Sequence, residues 1–167
     1  MASQTRDYDK KKLLGQIYTP LHIVEKILTD TGFYSSDFDH STILDPACGD
    51  GRFLIPAAQF IIKNSTPNEV EKRLENIYGW DIDPDAINMC RQNLDDLVVP
   101  LGLKISWNLF IINALEQIDS TQKFDLIIGN PPYIRIQHLP ISQRQYVQTV
   151  YSFCNSGSTD AYVAFFS

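Results

Sequence analysis

The apolar run Leu126-Ile127-Ile128 ends in Gly129 and then in Asn130-Pro131-Pro132-Tyr133. Both prolines lack a backbone donor and hold φ nearly fixed. Pro131 also moves Asn130 away from the helical region. The result is a stiff turn that offers one side-chain amide, main-chain carbonyls and one aromatic ring at the end of a strand. Those groups suit gripping a planar amino group and stacking on the ring that bears it. A rigid turn without chemistry is the plainer reading of the same residues.

Two further loops carry usable groups. The first is Asp45-Pro46-Ala47-Cys48-Gly49-Asp50-Gly51. Gly49 and Gly51 permit a tight turn and a close approach to a ligand. A dinucleotide site would ask for a third glycine and would set pyrophosphate on a helix N-terminus. Here the third glycine is missing and Asp45 and Asp50 flank the loop. Acids repel phosphate and suit a cation such as an amino or sulfonium group. The second loop is Gly79-Trp80-Asp81-Ile82-Asp83-Pro84. An acid at the end of a second strand can accept both hydroxyls of a ribose. Asp81 is the candidate, because Asp83, next to Pro84, is expected to cap the following helix. Simple capping by both acids is the plainer alternative. Together the loops describe a nucleoside with a cationic amino-acid arm, which is S-adenosylmethionine.

These loops need strands and helices to hold them. Residues 1–15 read as a flexible lead-in. Thr19 to Asp30 has Leu21, Val24, Ile27 and Leu28 at helical spacing, with Thr19 as N-cap, Pro20 in the first turn and Gly32 as the stop. Strands are expected at 42–44, 77–82, 110–112 and 124–128. Helices are expected at 52–63, 84–97, 141–151 and from Thr159 to Phe166, the last capped by Ser158 or Thr159. Alternation of strand and helix from residue 42 to about 100 implies right-handed crossovers and a parallel sheet. The loops starting at Asp45, Asp83 and Asn130 would then share one sheet edge and face one cleft.

With 167 residues, 44% of them hydrophobic and 20% charged, a single folded domain is the default. No apolar run reaches membrane-spanning length, and the polar N-terminus lacks a signal-peptide core. Three scattered cysteines, Cys48, Cys90 and Cys154, fit a reducing cytoplasm and argue against a disulfide framework or a zinc site; no metal is expected. The net charge of −6 is unusual for a nucleic-acid binder. The only basic cluster is Lys10-Lys11-Lys12, more simply read as a solvated tail. Either the substrate is not nucleic acid, or the surface that grips it lies outside these residues.

Asp45-Pro46-Ala47-Cys48-Gly49 with Gly51, Phe53 and Leu54, followed by Asn130-Pro131-Pro132-Tyr133, resembles the amino-DNA methyltransferases that modify the N6 of adenine. The order resembles their gamma class, which opens with a cofactor-clamping segment, here Gly15-Gln16-Ile17-Tyr18-Thr19-Pro20. The resemblance runs from about residue 14 to 167. It implies a Rossmann-like, S-adenosylmethionine-dependent methyltransferase fold of the α/β class, with a mostly parallel sheet, helices on both faces and an incomplete C-terminus. Residues 16–167 would be a catalytic domain without a target-recognition domain. By this resemblance Tyr18, Thr19 and Pro20 pack on the cofactor. The loop from Asp45 through Pro46, Ala47, Cys48 and Gly49 to Gly51 holds its methionine end, and Asp81 with Ile82 binds the ribose. Asn113 with Ala114 falls where the family usually has an Asp that contacts adenine, so the Asn is a departure. Residues 160–165 resemble the start of the next family motif.

The expected chemistry follows from the electronics of the amino group. The exocyclic nitrogen of adenine shares its lone pair with the ring and is a poor nucleophile. Two acceptors aimed at its hydrogens, the Asn130 side-chain oxygen and the Pro131 carbonyl, favour a more tetrahedral nitrogen and stabilise the positive charge that builds during transfer. Tyr133 would stack on a base flipped from the duplex. Cys48 is expected to pack rather than attack. DNA is the expected partner, through regions missing from this chain, together with a complementary subunit or C-terminal part; no membrane partner is expected. Two other readings stay open. The same turn could methylate a protein glutamine amide or an RNA base, or the chain could be an inactive cofactor-binding fragment.

Overall fold

The computed structural model describes residues 19–35, 41–116, 121–151, 154 and 160–166. They fall into two compact units: one takes in the described residues up to 113 together with 121–130, and the other takes in 114–116 and the described residues from 131 onward. The expectations for residues 1–15, Tyr18, Ser158 and Thr159 lie outside the described residues.

The first unit is a four-stranded, wholly parallel sheet. Its strands are β1 (Ile43–Asp45), β2 (Ile77–Asp81), β3 (Asn108–Ile111) and β4 (Leu126–Ile127), in the order β3-β2-β1-β4. The chain moves from β1 outward through β2 to β3, then returns to the other side of β1 for β4. The order therefore reverses between β1 and β4, and that is where α/β sheets open a crevice beyond their carboxyl ends. Thr42 ties the entry of the two strands together. Its amide and its Oγ1 donate to Asp125 Oδ2 at 2.7 and 2.8 Å.

Four helices accompany this sheet: α1 (Leu21–Asp30), α2 (Leu54–Lys63), α3 (Val70–Leu74) and α4 (Pro84–Val98). One apolar cluster joins Val24 and Leu28 of α1, Leu54, Ala58 and Ile61 of α2, Leu74 of α3 and Ile87 and Leu94 of α4 to Ile43, Ile77 and Leu109 of the sheet. Strand β2 alternates, as a half-buried strand must: Ile77, Gly79 and Asp81 are buried, while Tyr78 and Trp80 are half-buried. The Gly79 side lies against Leu54 of α2. On the opposite side the rings of Tyr78 and Trp80 meet Phe124, with centroids 5.1 and 5.9 Å apart.

Two expectations are corrected here, and one helix is added. Helix α1 begins at Leu21 with Pro20 in the cap position and no side-chain cap bond, so Thr19 is not its N-cap. Its other end is as expected: Phe33 N–H bonds Leu28 O and Gly32 N–H bonds Thr29 O, the double closure that needs a left-handed residue at 32. Strand β3 starts two residues earlier than its apolar run suggests. Pairing with β2 defines it, and its ends, Asn108 and Ile111, are half-buried and 60% exposed. Helix α3 was not anticipated; its five residues are too few for a periodicity to show.

The second unit is built around α5 (Ile141–Val150) and short 3-10 turns at Ala114–Glu116, Ile136–His138 and Ala161–Phe166. Leu115, Ile136, Val147, Cys154, Ala161 and Ala164 form its apolar cluster. Arg135 bridges Asp160 in antiparallel fashion, and Ala161 N–H donates to Ile134 O at 2.7 Å. The helix expected from Thr159 is thus a 3-10 helix over its described residues.

Candidate active site

The glycine loop leaves β1 at Asp45 and is held from several sides. Cys48 N–H donates to Trp80 O at 2.9 Å, and Gly49 N–H donates to Asp81 Oδ2 at 2.9 Å. Asn93 of α4 donates to Asp50 O at 2.9 Å. Gly51 has a φ of +94°, and a Cβ there would stand 2.9 Å from Cys90 Sγ, so the loop needs glycine at 51 for conformation and for space. The Asp50 carboxylate is engaged by Arg52 Nε at 3.2 Å.

Asp81 joins the first loop to the second. Its other oxygen accepts the Asp83 N–H at 2.9 Å. An ionised carboxylate has about four lone-pair sites, so acceptor capacity remains beyond these two backbone bonds. Burial pushes its carboxyl up from the ordinary range, against the pull of the Asp83 and Gly49 amides. Asp83 accepts the Asp85 N–H at 3.1 Å and so caps α4, with Pro84 at its first position, as the sequence suggests. Ile82, between them, is 56% exposed. Asn113 is half-buried and follows β3, whose exit is tied to β2 by Ile112 N–H to Asp81 O at 3.0 Å.

Asp45 is 1% exposed. Its Oδ1 accepts the Ala47 N–H at 3.1 Å. Burial, and then the nearby Asp81, push its carboxyl up to about 7, with the Ala47 amide opposing. Cys48 is also buried; a hydrogen bond with the Cys90 side chain, and then burial, push its thiol well above the ordinary range. A thiol in that state packs and does not attack.

Asn130 ends the sheet-bearing unit, two residues after Ile128, whose N–H bonds Leu44 O at 2.9 Å. It is half-buried. The structure therefore brings Asp45, Pro46, Ala47, Cys48, Gly49, Gly51, Asp81 and Asn130 to one edge of one sheet, with Asn130 and the glycine loop on either side of the strand-order reversal. Thr19, buried, and Pro20, exposed, precede α1 in the same unit. Ala114, Pro131 and Tyr133 belong to the second unit. There Tyr133 is 55% exposed and its ring lies 5.5 Å from that of Tyr162. Sequence reasoning assigned no task to Gly79, Asn93 or Gly129. For the glycines a signal existed: glycine within or at the end of a strand marks a close approach. Among the described residues no three His, Cys, Asp or Glu side chains cluster as metal ligands, and no helix is long and apolar enough to cross a membrane.

This geometry is that of a methyltransferase-type α/β domain, and the chain belongs to the N-6 DNA methylase family, whose model matches residues 5–163. It is 36% identical over 141 residues to the type II methyltransferase M.BstVI of Geobacillus stearothermophilus, an alignment covering 74% of this chain and 25% of the relative. The chain spans about a quarter of the length of the curated relatives M.BstVI, M.CvrRI and M.VspI that it matches. Among solved structures, the type IIL restriction-modification enzyme MmeI, determined in complex with DNA, superposes with a TM-score of 0.64 at 18% identity, over 93% of this chain and 28% of that one. A Listeria monocytogenes protein assigned to the class I S-adenosylmethionine-dependent methyltransferases gives 0.63 at 18% identity, over 92% and 42%. The fold is the Rossmann-like one of that class.

Proposed function

We propose that this chain is the catalytic portion of an enzyme that transfers a methyl group from S-adenosylmethionine to the N6 amino group of adenine in DNA, within a restriction-modification system. One observation carries the reading. The glycine loop and Asn130 leave the neighbouring strands β1 and β4 at the reversal of strand order, where such sheets bind ligands. The donor set fits the cofactor: Asp81 keeps acceptor capacity for ribose hydroxyls, and Gly49, with nothing within 4 Å of where a Cβ would stand, leaves the loop backbone bare there.

When bound, S-adenosylmethionine supplies an electrophilic methyl on a sulfonium. The rest is done by the chain. The loop from Asp45 to Gly51 would hold the methionine end, with Asp45 and Cys48 acting from inside because both are buried. Asp81 and Ile82 would hold the ribose, Asn113 and Ala114 the adenine, and Tyr18, Thr19 and Pro20 would pack on the cofactor. The Asn130 amide oxygen and the Pro131 carbonyl would accept the two hydrogens of the target amine and stabilise its developing charge. Tyr133 would stack on the flipped base. DNA contacts would come through regions beyond this chain or a complementary subunit. The three free, buried cysteines suit a cytoplasmic setting.

The test is transfer of tritium from methyl-labelled cofactor to adenine-containing DNA. The wild-type chain, supplied with its complementary part, is expected to transfer label, and Asn130→Ala to bind cofactor without transferring it. Equal transfer by both would overturn the assignment. The net charge of −6 favours a second acceptor, a protein glutamine amide; label appearing in protein and not in DNA would select it.

A further inference from the structure

At the carboxyl ends of the paired strands β1 and β4 lies a contact between Asp45 and Gly129 that the roles proposed above do not include. Gly129 lies just beyond β4, next to Asn130. The two strands run in register there, Leu44 opposite Ile127, with Ile128 N–H on Leu44 O. The next residue of β1 is Asp45, and its carboxyl fills the space where a side chain at 129 would stand. A Cβ at that position would overlap Asp45 Oδ1 and lie 3.1 Å from Asp45 Cγ. The same Oδ1 takes the Ala47 N–H of the glycine loop. One buried carboxyl thus touches the loop on one side and the backbone beside Asn130 on the other.

We infer that Asp45 is the positioning residue for Asn130, and that glycine at 129 is the specific requirement that lets its carboxyl brace the Asn130 backbone against the glycine loop. The inference rests on the methyltransferase reading only for what Asn130 does; the brace itself is a matter of geometry. A side chain at 129 would collide with the carboxyl where it stands, and Asn130 would move with the strand end. A change of charge on Asp45 would reach Asn130 across one residue. Among the described residues the ionisable groups facing Asp45 are Asp81 at the end of β2 and Cys48 in its own loop, with Cys90 of α4 behind Cys48. Asp81 and Asp45 are both pushed up, Asp45 to about 7, so its charge changes within an accessible range.

The experiment is a nitrogen–proton correlation spectrum of the 167-residue chain, with the Asn130 side-chain amide assigned by its loss in Asn130→Ala. In the wild type that signal is expected to move as pH is raised through about 7, and in Asp45→Asn to stand still. Gly129→Ala is expected to displace the signal and lower the melting temperature. Asp45→Ala in the same chain should restore a large part of the melting temperature, because it removes the group the methyl collides with, while the Asn130 signal stays displaced because the brace is gone. An Asn130 signal that titrates equally in Asp45→Asn, or a Gly129→Ala loss of melting temperature unchanged by Asp45→Ala, would overturn the inference. If Gly129→Ala does not fold, recovery of folding in the double variant supports the brace and its absence counts against it. Calorimetry with S-adenosylmethionine on the same samples reads the functional proposal separately, since the spectra need neither cofactor nor turnover.

Discussion

Replacing Asp45 with Asn should stabilise this protein above neutral pH and do little in acid. The residue is 1% exposed, and its carboxyl is displaced from 3.8 to about 7, mainly by burial. Because the folded value lies above the unfolded one, the stability associated with neutral Asp45 is complete below 3.8 and is lost as pH rises through about 7. At about 1.4 kcal/mol per pH unit the ceiling of that loss is about 4 kcal/mol, and relaxation around the charge brings the expected value to about 2 kcal/mol. Asn keeps the shape and the acceptor for the Ala47 amide but carries no charge. Its extra amide hydrogen adds an offset that does not vary with pH. The diagnostic quantity is therefore the change in the difference between variants from pH 4 to pH 8. Urea denaturation followed by the fluorescence of Trp80 and Trp107 measures it. With an m-value of about 2 kcal/mol per M, the midpoint of Asp45→Asn should gain about 1 M on the wild type between those pH values. A difference that stays constant with pH, or that grows in favour of the wild type, would refute the reasoning.

Other outcomes follow from the same geometry. Gly51→Ala forces a φ of +94° on alanine and brings its methyl to 2.9 Å from Cys90 Sγ, so it should cost about 1–3 kcal/mol in denaturation. Asp83→Ala removes the acceptor for the Asp85 amide at the start of α4 and should cost about 1 kcal/mol, with little change in secondary structure by circular dichroism. Arg73→Met strips buried bonds from Arg73 Nη1 to Asn64 O at 2.9 Å and Ser65 Oγ at 2.8 Å and should cost about 2 kcal/mol, because the acceptors stay behind.

The strands that carry the site were legible because each is a short apolar run ending in a turn that only certain residues can make. The glycines of the first loop, Asp83 before Pro84, and the two prolines after Asn130 all announced themselves locally. What stayed hidden depends on groups far apart in sequence. Nothing near Asp45 says that it turns inward against Gly129, 84 positions away. Nothing near Asp81 says that its carboxylate already serves the amides of Gly49 and Asp83. The start of β3 was misplaced because pairing with β2, and not hydrophobicity, defines it: Phe110 and Ile111 are 44% and 60% exposed, while Leu109 is the residue that faces the core. Helix α3 has too few residues to reveal a period, and a cap on α1 was expected from Thr19 although Pro20 holds that position.

Titration calorimetry of the chain with S-adenosylmethionine addresses the central claim most directly. The account predicts one cofactor per chain, with affinity unchanged by Asn130→Ala and weakened about tenfold or more by Asp81→Asn, which removes a charge and an acceptor from the ribose position. Absence of binding in the wild type, or equal affinity in Asp81→Asn, would contradict it.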